Sequence, residues 1–113
     1  MVKPYKLTIP ETVGAVQDLL GTMQLTSPDF NYYNVPGKGV ETTFTELFAG
    51  LEYIRSTLGD VRYETLVSMA TEMRTRFESN EVREGNIIAY DMQEMIKEAW
   101  KSRRRKGAAN DEP

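Results

Sequence analysis

Residues 43–60 read Thr43-Phe-Thr-Glu-Leu-Phe-Ala-Gly-Leu-Glu-Tyr-Ile-Arg-Ser-Thr-Leu-Gly-Asp60, and this stretch decides the fold. Phe44, Leu47, Phe48, Leu51, Ile54 and Leu58 recur with the three-to-four-residue period of one helix face. Thr43 followed three residues later by Glu46 has the pattern of a capping box, which satisfies two orphan amides at a helix start. Gly59 supplies a stop and Asp60 can cap the next helix. On that helix Tyr63, Leu66, Val67, Ala70, Met73 and Phe77 make a second apolar stripe. So short a junction makes the pair an antiparallel hairpin.

The same period extends in both directions. Upstream, Thr8-Ile-Pro-Glu11 resembles a second capping box, and Val13, Val16, Leu20 and Met23 follow on one face, so the spacing predicts a helix over about 9–24. Gly14 and Gly21 weaken it, by about 1 kcal/mol each against alanine. Residues 25–41 are irregular, with Pro28, Pro36, Gly37 and Gly39 as turn formers, yet they carry Phe30, Tyr32 and Tyr33. Downstream, Ser79 and Asn80 punctuate the chain, and a fourth helix begins near Glu81 with Ile88, Met92, Met95, Ile96 and Ala99 on one face. The prediction is an all-α antiparallel bundle of about four helices, with an irregular aromatic loop after the first. Residues 1–100 form a single domain; 101–113 are expected to be a basic, then disordered, tail fraying from Arg103.

Composition narrows the function. The chain of 113 residues is 40% hydrophobic and 27% charged, as one folded domain should be. It contains neither cysteine nor histidine, which removes disulfides, the usual nucleophile–base pairs and most transition-metal sites. Glu94 and Glu98 match a carboxylate magnesium pattern only loosely, and no phosphate-cradling glycine motif is present: Pro36-Gly-Lys-Gly39 reads as a plain turn. The expectation is a protein that is not an enzyme and carries no cofactor or metal. No apolar run is long enough for a membrane span, and the first residues show no export signal.

Charge is distributed unevenly. Residues 1–100 hold 15 acidic and 9 basic side chains, whereas Lys101, Arg103, Arg104, Arg105 and Lys106 follow within six residues. An acidic body repels nucleic acid, and a cationic run suits a helix terminus. Met69, Met73, Met92 and Met95 read as core filler, or else as an adaptable face for self-association. Glu84, Asp91, Glu94 and Glu98 lie beside the last apolar stripe, and such a self-repelling line suits a basic partner.

Residues 47–98 resemble small helical immunity proteins of type VI secretion effectors, those paired with NAD(P)-hydrolysing toxins. The resemblance rests on Gly50-Leu-Glu-Tyr-Ile-Arg-Ser-Thr-Leu-Gly-Asp60 and on the turn Arg76-Phe-Glu-Ser-Asn-Glu81. It implies a cytoplasmic, non-enzymatic inhibitor that occludes its cognate toxin's active site. Carried onto this chain, the contact residues are Phe77, Glu78, Asn80 and Glu81, joined by Glu84, Asp91 and Glu94 from the acidic line. Phe30, Tyr32 and Tyr33 form the competing anchor, since buried aromatics dominate interface energy. The other readings are a structural or adaptor subunit that forms homo-oligomers, and a nucleic-acid-associated regulator using the basic tail.

Overall fold

The computed structural model describes residues 5–31 and 34–111. Five helices follow in order: α1 (Val13–Thr26), α2 (Val40–Tyr53), α3 (Arg55–Leu58), α4 (Asp60–Glu78) and α5 (Val82–Asp111). The described residues include no strand. α4 packs along α5, α1 lies on α5's other flank, and α2 packs on α4.

Helix starts depart from the predicted caps, for long-range reasons. α1 is capped by Thr12, whose hydroxyl accepts the Ala15 N–H at 3.1 Å, and not by Thr8. Thr8 instead donates its N–H to Glu46 at 2.7 Å, and the Tyr5 hydroxyl donates to the same carboxylate. Glu46 is thereby drawn into the structure as a buried acceptor, so it does not cap α2. That helix begins earlier, at Val40, where Thr42 Oγ1 accepts the Gly39 N–H at 2.9 Å. Thr43 then falls on the inner face and is buried.

The predicted second helix is two helices. Ile54 leaves helical torsion (φ −99°, ψ 10°), and Thr57 N–H reaches back three residues to its carbonyl at 3.0 Å. This tight turn re-aims α3 so that it touches both α4 and α5. Gly59 (φ 82°) closes the corner as predicted, but it also occupies the N-cap position assigned to Asp60. Asp60 instead bridges the junction to Arg55 at 3.1 Å, and the Arg55 guanidinium lies 4.4 Å from the centre of the Tyr63 ring.

The core follows the predicted stripes. Leu47, Leu51, Leu66, Ala70, Met73, Met92 and Ile96 are buried, while Phe48, Ile88 and Met95 are partly buried against them. Met69 is also half-buried, so the methionines fill the interior and do not form an adaptable outer face. Phe30 was expected in a loop, yet it is 2% exposed and meets Phe44 and Phe77 edge-on at 5.9 and 5.0 Å between ring centres. Its φ of 58° is one that bulky residues rarely adopt, and burial of the ring between two others offsets that cost. Asn31 holds the following turn by donating to the Val35 and Lys38 carbonyls at 2.8 and 2.9 Å.

Glycines make close approaches that the sequence does not announce. A Cβ on Gly50 would lie 2.5 Å from Pro10 Cγ, and one on Gly85 would lie 2.6 Å from the Phe77 ring. At the α1–α5 seam three glutamines interlock. Gln17 Nε2 donates to the Gln93 carbonyl at 2.9 Å, Gln93 Nε2 to the Gln17 carbonyl at 3.1 Å, and Gln24 Nε2 to Gln93 Oε1 at 2.7 Å.

α5 does not fray at Arg103. The backbone is helical through Asp111, so the basic run lies within the helix and not at its end. Arg103 donates to the Ser56 carbonyl at 3.3 Å, fastening α5 to α3. No helix among the described residues is long and apolar enough to cross a membrane.

Candidate functional site

The α4–α5 corner, a candidate site by resemblance, is built as a joint. Asn80 adopts φ 61°; its N–H donates to the Phe77 carbonyl at 3.0 Å and the Glu81 N–H donates to the Arg76 carbonyl at 2.8 Å. This is the Schellman arrangement that closes a helix, with asparagine in the left-handed position. Side chains reinforce it: Arg76 pairs with Glu81 at 3.0 Å and with Glu72 at 3.3 Å, and Arg74 pairs with Glu78 at 3.4 Å. Phe77 is only 4% exposed and wedges against Phe30, so it is a core residue and cannot support a partner's surface. Glu78 and Glu81 remain reachable, but each already answers an arginine. The competing anchor changes likewise, since Phe30 is buried and Tyr32 and Tyr33 lie outside the described residues.

The outer side of α5 leaves two of the three acids exposed. Glu84 and Asp91 face solvent, and Glu94 is half-buried. The line is less self-repelling than its composition implies, because Lys97 lies 3.9 Å from Glu94 and Tyr90 donates its hydroxyl to Glu94 at 2.8 Å. That hydrogen bond, with the charge behind it, pushes the Tyr90 phenol above its ordinary pKa.

Sequence periodicity passes over two residues on this face. Ile87 is 50% exposed and Tyr90 54% exposed, one turn apart and set among Glu84, Asp91 and Glu94. They border a groove of 540 Å³ between α1 and α5, also lined by Gln24, Val82, Arg83 and Asn86. Next to Gln24 in the chain stands Leu25, 85% exposed. The available signal was the pair Ile87-Ile88: one isoleucine continues the buried stripe, and the other must therefore point away from it.

A second groove, of 620 Å³, opens at the other end of the α1–α5 pair between Glu11, Gly14, Gln17, Tyr53, Lys97 and Trp100. There the Glu11 carboxylate beside the Tyr53 hydroxyl pushes that phenol up. Among the described residues no three acidic side chains converge as a metal site requires. The α5 face has the attributes of a recognition surface: an apolar centre, an acidic rim and an adjoining groove.

No family model, curated protein or solved structure matches this chain.

Proposed function

We propose that the chain is a non-catalytic binding protein that covers a basic cleft on a partner protein with the outer face of α5. The observation that supports this most is the exposed Ile87–Tyr90 pair surrounded by Glu84, Asp91 and Glu94. Apolar side chains at the centre supply desolvated contact, and acids at the rim steer a cationic surface into place. With the immunity-protein resemblance of residues 47–98, the partner is a toxin domain in the cytoplasm, inhibited by occlusion of its active site. Such inhibition asks for shape and charge only, which suits a chain without histidine or cysteine.

The test is capture of the partner from the native host, followed by titration of the captured protein's activity. Wild-type chain should inhibit it stoichiometrically. Ile87→Asp and the double variant Glu84→Lys/Asp91→Lys should lose inhibition while keeping the wild-type circular dichroism spectrum. Variants that inhibit as well as wild type would remove the α5 face from the proposal.

A further inference from the structure

The groove at the far end of the α1–α5 pair lies outside the proposed binding face. It measures 620 Å³, within the range of small-molecule sites, and three parts of the chain meet in it. The start of α1 brings Glu11, Gly14 and Gln17, the α2–α3 corner brings Tyr53, and α5 brings Lys97 and Trp100. Tyr53 is 56% exposed and Trp100 40%, so two aromatic side chains line the groove without being covered. A Cβ on Gly14 would meet nothing within 4 Å, which leaves the space beside α1 open.

The groups left unanswered here are acceptors. Gln17 Nε2 donates to the Gln93 carbonyl at 2.9 Å, and its Oε1 is buried with no donor among the described residues. A buried acceptor in that state carries a desolvation cost that an entering N–H would remove. Glu11 stands beside the Tyr53 hydroxyl, and no cation among the described residues pairs with it. Two features pull toward an anion instead: the start of α1 and the Lys97 ammonium. A helix start carries about half a unit of positive charge, against the full charge of the Glu11 carboxylate. Lys97 Nζ lies 3.9 Å from Glu94, so its charge is already answered. The balance favours a cation, which exposed indole and phenol faces also attract.

We propose that this groove binds a small organic ammonium ion with an aromatic or apolar body. Its N–H groups are accepted by Glu11 and by Gln17 Oε1, and its body packs on Tyr53 and Trp100. The site goes beyond the partner proposed for α5 and needs no partner protein.

Trp100 is the only tryptophan in the chain, so its fluorescence reports on the groove directly. The purified full-length chain is titrated at pH 7 with phenethylamine, which is cationic there. The controls are 2-phenylethanol and 3-phenylpropionate, its neutral and anionic counterparts. The amine should change the emission saturably with roughly millimolar affinity, the scale for so small a ligand, and the controls should bind about tenfold more weakly or not at all. Glu11→Gln should weaken the amine about tenfold through loss of a charge-assisted contact. Gly14→Leu fills the open space at an exposed helical position and should abolish the response while the circular dichroism spectrum stays that of wild type. Amine binding undiminished in either variant, a control that binds as well as the amine, or no saturable response would overturn the proposal.

Discussion

Replacing Gly50 by alanine should destabilise the protein, against the rule for helical glycines. Alanine in a helix interior ordinarily gains about 0.5–1 kcal/mol over glycine. Here the new Cβ would lie 2.5 Å from Pro10 Cγ, 3.1 Å from the Pro10 carbonyl oxygen and 3.1 Å from Val16 Cγ2. Carbon atoms in ordinary contact stand about 3.5–4.0 Å apart, so roughly 1 Å must open between α2 and the N-terminal arm. A proline ring cannot rotate away; the backbone around it has to move. The same stretch carries the Thr8 N–H that Glu46 accepts at 2.7 Å, and a buried carboxylate losing a donor costs about 1–3 kcal/mol. Overpacking adds about 1–3 kcal/mol. After subtraction of the helical gain, the expected net loss is about 1–5 kcal/mol. Urea denaturation of Gly50→Ala beside Gly14→Ala measures it, since a Cβ at Gly14 meets nothing within 4 Å and should be neutral or stabilising. Adding Pro10→Ala to Gly50→Ala should recover part of the loss through coupling of about 0.5–3 kcal/mol between touching residues. Gly50→Ala as stable as Gly14→Ala would show that the arm does not pack on α2 as described.

Three further outcomes follow from the same contacts. Phe77→Ala should cost about 3–5 kcal/mol of stability, as large core aromatics do, with any fall in partner binding tracking the unfolded fraction; a fully folded Phe77→Ala that no longer binds would return this residue to the interface. The Tyr5 phenol is pushed up to about 12 by burial and by Glu46, so its stabilising contribution is whole below pH 10 and lost as pH rises from 10 towards 12. Denaturation of wild type and Tyr5→Phe should therefore differ by about 1.5–3 kcal/mol at pH 8 and converge near pH 12, and a constant gap would contradict the contact. Asn80→Ala should destabilise the α4–α5 corner by about 1 kcal/mol because alanine is strained at φ 61°, whereas Asn80→Gly should be neutral or better; equal effects would refute the left-handed turn.

Period and punctuation made most of the helices legible. The stripe of α4 and the stop at Gly59 needed only local rules, and they appear as read. Capping was read less well because a cap competes with distant partners. Glu46 looks like a capping residue until Tyr5, 41 positions away, claims its carboxylate. The roles of Gly50 and Gly85 depend on Pro10 and Phe77, which only the folded packing brings near. At the candidate site, Glu84, Asp91 and Glu94 were identifiable from their place beside the stripe, and they remain reachable. Phe77 was placed there by resemblance alone, although its own periodicity had already assigned it to the core. Ile87 and Tyr90 are not legible from the buried stripe because they lie off it, exposed on the outer side of α5.

The central claim is that acids on α5 guide a basic partner onto an apolar centre. It is tested most directly by the association rate of the captured partner with wild-type chain and with Glu84→Lys/Asp91→Lys, measured across a range of salt concentrations. Steering by rim charge predicts a wild-type rate that falls steeply with salt, and a rate on the order of tenfold lower and nearly salt-independent for the variant, with dissociation little changed. Equal association rates and equal salt dependence in the two proteins would contradict the account.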